Sequence, residues 1–228
     1  MRLFKNIKWL LPIILITGVI IFYFTSLNEL ISFENFLNNY SELKVYTENN
    51  LILSCLLFML VYILIVAFSI PIASFVTICG GVLLGWHSFY IILFAATIGS
   101  TIVFIAAKTI LYDFFKNKTY SFFKKLEEGF QKNELLYLIS LRLIPLVPFW
   151  VVNVIPAFFN MRLKLYFIGT FFGIMPGTFV YVWGSISFEQ ILINGHQPDF
   201  SIFNHPTILA SFTTLGLFIL LPIFLKKK

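Results

Sequence analysis

Apolar positions along the chain come in long blocks separated by short polar stretches, and the blocks set the elements. Residues 9–27, WLLPIILITGVIIFYFTSL, are almost wholly apolar. About 20 such residues cross a bilayer as a helix, so a first membrane helix is predicted there. Residues 28–50 turn polar and mildly acidic, with Glu29, Glu34, Glu42 and Glu48 set against Lys44. Within them Phe33, Phe36, Leu37, Tyr40 and Leu43 recur at helical spacing, which predicts a short amphipathic helix on the outer surface. Residues 51–85 carry no charge at all. The stretch is too long for one span and too short for two. Pro71 falls near its middle, and Gly80, Gly81 and Gly85 close it. Because proline breaks a helix, the pattern predicts a hairpin that dips into the membrane and returns.

The blocks 87–107, 165–187 and 206–225 each fit one span. Between the first two, residues 108–133 mix Lys108, Lys116, Lys118, Lys124, Lys125 and Lys132 with Phe114, Phe115, Phe122, Phe123 and Phe130. Basic and aromatic residues so interleaved predict an interfacial helix on an anionic leaflet. Residues 134–160 form a second apolar stretch that contains LRLIPLVPFWVVN at 141–153. It carries Arg142 and breaks its helix at Pro145 and Pro148, so a second hairpin is predicted. Residues 188–205 are a polar loop.

Charge then orients the blocks. With the N-terminus inside and both broken stretches read as hairpins, 14 of the 16 basic residues are cytoplasmic. Lys44 alone is outside, and Arg142 lies within the membrane. Arg2, Lys5 and Lys8 precede the first helix without an A-x-A cleavage site, which predicts an uncleaved anchor. The hairpins then enter from opposite faces, the first from outside and the second from inside. Two thin spans in place of either hairpin leave the same parity.

Composition agrees with this layout. The chain has 228 residues, 59% hydrophobic and 11% charged, against about 25% charged in a soluble domain. A soluble fold is excluded. The net charge of +6 is spread over loops beside apolar blocks rather than gathered in one patch, which favours anionic lipid headgroups over nucleic acid. Cys55 and Cys79 sit in apolar stretches and read as buried spectators, and His87, His196 and His205 fall at segment ends as helix-end polar residues. No metal-ligand spacing joins them, so no metal or cofactor is expected.

The two broken stretches match at an offset of 74 residues: Ile70, Pro71 and Phe75 fall on Ile144, Pro145 and Phe149, Ala95 on Gly169, and Gly99 on Gly173. Opposed entry makes this an inverted repeat, a plan common among transporters that bind substrate where broken helices meet. Gly169, Gly173 and Gly177 are spaced by four, so they line one helix face and permit close backbone packing; Pro176 would kink that helix. Such a stripe also suits association with a partner, including a second copy of the chain.

The pattern R-x-x-P-x-x-P-F-x-x-x-N from Arg142 to Asn153, a basic turn, then G-T-x-x-G-I-x-P-G-T-x-x-Y-x-x-G-S resembles the DedA superfamily, also called the VTT-domain or SNARE-associated Golgi protein family. Pro71, Gly80, Gly81, Leu84, Gly85, Ala96 and Gly99 agree in the first half. The resemblance covers roughly residues 50 to 187. It implies an all-α integral membrane fold of two opposed re-entrant hairpins, each followed by a membrane helix. Further membrane helices stand at either end, within flanking segments 1–49 and 188–228. It also implies lipid transport, since bacterial relatives are implicated in returning undecaprenyl phosphate and eukaryotic ones in scrambling phospholipid. The chain departs from the family in two places. The stretch 51–85 lacks the acidic residues that many members carry, and the nearest acids are Glu48 and Glu134. The Pro156-Ala157 region replaces a glycine expected after Asn153, and Lys108 stands where many relatives close the first span with a basic residue.

Arg142 is the costly residue, at least ~2.5–3.5 kcal/mol mid-membrane. Two readings stand. In one it caps carbonyls freed by Pro145 and Pro148, or pairs with Glu134. In the other its planar fork of donors receives a lipid phosphate in a midplane cleft, with Asn153 adding an amide donor. An enzyme is not expected, because G-x-S-x-G and H-E-x-x-H are absent and no histidine lies inside a predicted span. A small-solute or ion transporter and a non-transporting scaffold remain as alternatives. The phenylalanine-, isoleucine- and lysine-rich composition suits an AT-rich bacterial genome and a plasma or inner membrane.

Overall fold

The computed structural model describes residues 32–115, 133–145, 147–159, 161–193 and 206–225, together with Thr17. The first predicted membrane helix, most of the basic 108–133 stretch, residues 194–205 and the final lysines lie outside them. Among the described residues the secondary structure is helical: α1 (Phe33–Asn49), α2 (Leu51–Ala67), α3 (Ala73–Leu84), α4 (Trp86–Phe115), α5 (Glu134–Leu143), α6 (Phe149–Phe158), α7 (Leu163–Ile193) and α8 (Pro206–Leu225). Within α4 and α7, Trp86–Thr109 and Leu163–Glu189 are long and apolar enough to cross a membrane, and α1 with α2 makes a third such stretch bent by 117°. On α2, Ile52, Leu56 and Leu60 stand one turn apart and all exposed, a ridge that only lipid would cover favourably. The chain is a helical membrane protein.

It divides into two compact units, residues 14–99 with 178–200, and residues 1–13, 100–177 and 201–228. Each contains one broken hairpin, the leading part of the long helix that follows it, and the trailing part of the other long helix.

In the unit holding the first hairpin, Ser32 caps α1 by accepting from the Asn35 backbone N–H at 3.2 Å. The amphipathic pattern over 28–50 thus becomes α1. Helix α2 stops where the sequence says it must. Pro71 has no N–H to give, and Ser69 takes a left-handed φ of 53°. The last carbonyls of α2 are met inside the turn, by Ser69 N to Val66 O at 3.0 Å and Ile70 N to Ile65 O at 2.9 Å. Tyr62 donates to Thr77 Oγ1 across the hairpin at 2.8 Å, and Thr77 donates on to the Ala73 carbonyl. Gly80 lies under the Phe58 ring and Gly81 against Ser185 of α7, so neither leaves room for a Cβ. Gly85 is different. An added Cβ would meet nothing within 4 Å, so it is needed for its φ of +56° rather than for packing. Lys44 of α1 pairs with Glu189 of α7 at 2.6 Å, and Tyr40 donates to the same carboxylate at 3.4 Å. Partial burial, and then the charge of Glu189, push the Tyr40 phenol up to about 12.

In the other unit Asn133 caps α5 through the Leu136 N–H at 3.1 Å. Ile144 is extended, as a residue before proline should be, and α6 restarts after Pro148. The break over 144–148 matches the predicted hairpin tip. Phe104, Leu138, Val152, Ala157, Met161 and Tyr166 form the core, and Pro156 is accommodated inside α6. Gly169 and Gly173 bring α7 onto α5, where an added Cβ at Gly173 would sit 2.7 Å from the Arg142 Cβ. Gly177 is not part of that close approach, since a Cβ there would meet nothing within 4 Å. Gly216 packs α8 onto the end of α5 in the same manner.

Two boundaries differ from the sequence reading. Helix α4 does not end at 107 but continues to Phe115, so residues 108–115 extend that helix rather than open a separate one. No glycine or proline falls there to stop it. Helix α7 runs unbroken through Pro176 and on to Ile193, two turns into the predicted polar loop. One lost hydrogen bond at Pro176 does not end a helix of 31 residues packed along its length. Cys55 and Cys79 are half-buried rather than buried.

Candidate functional site

Arg142 leaves the last turn of α5 just before the break, and its guanidinium points into polar company. Nη1 donates to Asn153 Oδ1 at 2.7 Å. Nη2 donates to Tyr166 Oη at 2.9 Å and to Thr170 Oγ1 at 3.1 Å. The Phe149 and Tyr166 rings flank its charge at 5.1 and 5.6 Å. Asn153 on α6, and Tyr166 and Thr170 on α7, are all fully buried. The site therefore joins the two arms of the hairpin and the helix that follows them. The tip breaks because of its prolines, and the break lets Asn153 return to the level of Arg142.

Tyr166 anchors the far side. Its ring stacks on Phe104 of α4 with centroids 4.1 Å apart. Its hydroxyl lies 3.2 Å from the Ser100 carbonyl and 3.4 Å from Asn153 Oδ1, so one proton serves either acceptor. Two turns below, Lys108 donates to the Met161 carbonyl at 2.8 Å. The family-position lysine thus holds the turn between α6 and α7. Tyr166 and Thr170 escape a reading by residue type, because hydroxyl residues in membrane helices are ordinary. The available signal was their spacing of four on one face of α7, in register with Gly169 and Gly173.

Glu134 is not a partner of Arg142. It accepts from the Arg162 backbone N–H at 3.0 Å and faces Arg162 Nε at 3.4 Å at the hairpin's base. Eight residues on one straight helix separate it from Arg142, about 12 Å of rise. Nor does Arg142 cap a carbonyl freed by the prolines, since its bonds go to Asn153, Tyr166 and Thr170. Among the described residues no carboxylate meets this guanidinium, so the charge is carried by neutral acceptors alone. Two donors are left over. Arg142 Nε and Asn153 Nδ2 are buried without a hydrogen-bond partner. The cation thus stands without a counter-charge among the described residues, with its own Nε and the neighbouring Asn153 Nδ2 unused.

A separate cavity of about 640 Å³ lies elsewhere, between α1 and the first hairpin, and none of Arg142's partners lines it.

A family model for the VTT domain matches residues 70–186, just over half of the chain, from Ile70 in the first break through the second hairpin and the Arg142 cluster. The chain is 30% identical over 191 residues to a Transmembrane protein 41 homolog of Dictyostelium discoideum, covering 82% of this chain and 55% of that protein. It is 27% identical over 196 residues to the Caenorhabditis elegans homolog, covering 82% and 75%. To mouse Transmembrane protein 41B it is 25% identical over 145 residues, covering 61% and 50%. The chain thus spans about half the length of the Dictyostelium and mouse relatives. These relatives are eukaryotic and give no support to the bacterial origin that composition suggested. No solved structure matches the chain. The matched span and the motif it encloses place the chain in the VTT-domain family of membrane proteins, the DedA superfamily.

Proposed function

We propose that the chain translocates membrane lipid, with Arg142 receiving the phosphate of the headgroup and Asn153 assisting, and that it works as a transporter rather than an enzyme. The carrying observation is the uncompensated charge: Arg142 has three neutral acceptors, and Nε and Asn153 Nδ2 have none. A phosphate supplies both the missing negative charge and the missing acceptors, and guanidinium suits it better than ammonium would. The acyl tails remain in the bilayer while the headgroup passes.

Helix length supports re-entry of the second hairpin. Ten residues in each of α5 and α6 give arms of about 15 Å, half of the hydrocarbon core. The make-up of the two units, one hairpin with parts of both long helices in each, supports an inverted repeat with the hairpins entering from opposite leaflets. The chain lacks acidic residues in 51–85, so the reading needs no proton coupling and favours downhill exchange.

The test is reconstitution of purified protein in liposomes with fluorescent phospholipid or labelled undecaprenyl phosphate, scored by bleaching from outside. Wild-type protein is expected to expose inner-leaflet label, and Arg142→Ala, shown to be folded and inserted, to lose at least tenfold in rate. Normal movement by that variant overturns the headgroup role, and no movement by wild type favours a scaffold.

A further inference from the structure

The cavity in the first-hairpin unit is apolar on the hairpin side, whereas α1 lines it with apolar residues such as Phe36 and Leu43 and with polar ones. Helix α1 contributes Asn39 and Glu42, three residues apart and so on one face. The hairpin contributes Phe58 from α2 and Phe75, Cys79 and Leu83 from α3, a floor without a polar head. Its volume of about 640 Å³ is that of a small-molecule site. Asn39 and Glu42 each present an acceptor: Asn39 donates one amide hydrogen to the Asn35 carbonyl at 2.8 Å, and its Oδ1 is left to accept. Glu42 has no ion-pair partner among the described residues, whereas Glu48 and Glu189 share Lys44. A carboxylate without an ion-pair partner, with an amide oxygen beside it, is met by a protonated amine, which donates three hydrogens. An apolar floor directly beside it is met by an acyl chain.

We infer that this cavity is a binding site for a phospholipid with a primary-amine headgroup of the ethanolamine type, its ammonium on Glu42 and Asn39 and one acyl chain over Phe58, Phe75 and Cys79. The site does not depend on the Arg142 reading, since the two share no residue, and a lipid held here need not move across the membrane. Its chemistry is also the opposite: acceptors for an ammonium here, donors for a phosphate there. An anionic headgroup such as phosphatidylglycerol brings no cation to Glu42 and is repelled by it.

The test uses the full chain in vesicles of phosphatidylethanolamine and phosphatidylglycerol, with either lipid supplied in turn as a chain-diazirine photoprobe and adducts mapped by peptide mass spectrometry. The ethanolamine probe is expected to label the peptides containing Phe58, Phe75 and Cys79 at least threefold more than the glycerol probe. Glu42→Gln, on an exposed position, should bring that ratio to near one without altering labelling elsewhere. Cys79→Trp or, separately, Leu83→Trp should fill the floor and remove the adducts of both probes. Equal labelling of wild type by the two probes overturns the amine recognition, and adducts that persist in both filled variants overturn the site. Translocation assayed on Glu42→Gln separates the two proposals, because loss of headgroup preference at the cavity leaves the Arg142 pathway intact.

Discussion

Asn153 is the residue at which the neutrality of the site can be changed with least disturbance. Its Oδ1 accepts from Arg142 at 2.7 Å, and aspartate places a charged oxygen in the same position. Asn153→Asp is therefore expected to keep or raise thermal stability, because an ion pair replaces a bond from the cation to a neutral acceptor. Lipid translocation should fall at least tenfold, because the countercharge that a phosphate would bring is already present. Scanning fluorimetry in detergent and the liposome assay read the two quantities separately; a variant that is stable and still translocates at the wild-type rate sinks the anion role. Tyr166→Phe keeps the stack on Phe104 and removes only the hydroxyl that Arg142 uses. It should cost about 1.5–3 kcal/mol of stability, seen as a lowered melting temperature, since a bond to a charged group is lost in a buried place. How legible these residues were follows from their cost. Arginine and asparagine in an apolar run are expensive, so Arg142 and Asn153 stand out in the sequence. Tyrosine and threonine are cheap there, and which face of α7 they occupy is fixed only when the turn at 159–162 is built, so Tyr166 and Thr170 did not.

Glycines mark where elements touch, but spacing alone does not say which of them touch. Gly169, Gly173 and Gly177 share a face by their spacing, yet only the first two lie against α5. Gly173→Ala puts a methyl 2.7 Å from the Cβ of an arginine that three hydrogen bonds hold in place. It should destabilise by about 1–3 kcal/mol, as overpacking does. Gly177→Ala should fall within about 0.5 kcal/mol of wild type, and a melting-temperature comparison of the pair checks both. At the junction of α1 with α7, raising the pH tests the Tyr40 contact. A phenol held up to about 12 contributes stability that is complete below its ordinary value near 10 and is lost as pH climbs through 12. The tyrosinate absorbance lost in Tyr40→Phe should therefore appear near pH 12 rather than 10. Helix breaks were legible because proline and a left-handed residue act locally. The continuation of α4 past 107 and of α7 past 187 was not, since polar residues follow the membrane boundary while the helix follows its hydrogen bonds.

At the scale of the whole chain the two halves share a plan but not a chemistry. At the 74-residue offset Arg142, Asn153, Tyr166 and Thr170 fall on Phe68, Cys79, Ile92 and Ala96, so the polar cluster has an apolar counterpart in the first half. The packing does repeat. Gly99 lies against Val66 at the end of α2 as Gly173 lies against Arg142 at the end of α5. The two halves differ at these four positions, and one of them alone carries the charge. If the halves are also inverted, their bases lie on opposite faces of the membrane, and side-specific labelling reads this directly. With Cys55 and Cys79 replaced by alanine, single cysteines at Asn50, His87 and Lys164 are exposed to a bulky, membrane-impermeant maleimide from one face at a time. Asn50 and His87 flank the first hairpin and should label from the outer face, while Lys164 follows the second and should label from the inner one. Ser69 sits at the first tip, and the parity of charges cannot say whether that tip stops within the membrane or emerges. A re-entrant tip is closed to the bulky reagent from the inner face, and a spanning one is open to it. Labelling of all three base positions from a single face would place both hairpins on one side and remove the inverted repeat, whatever the repeat in sequence suggests.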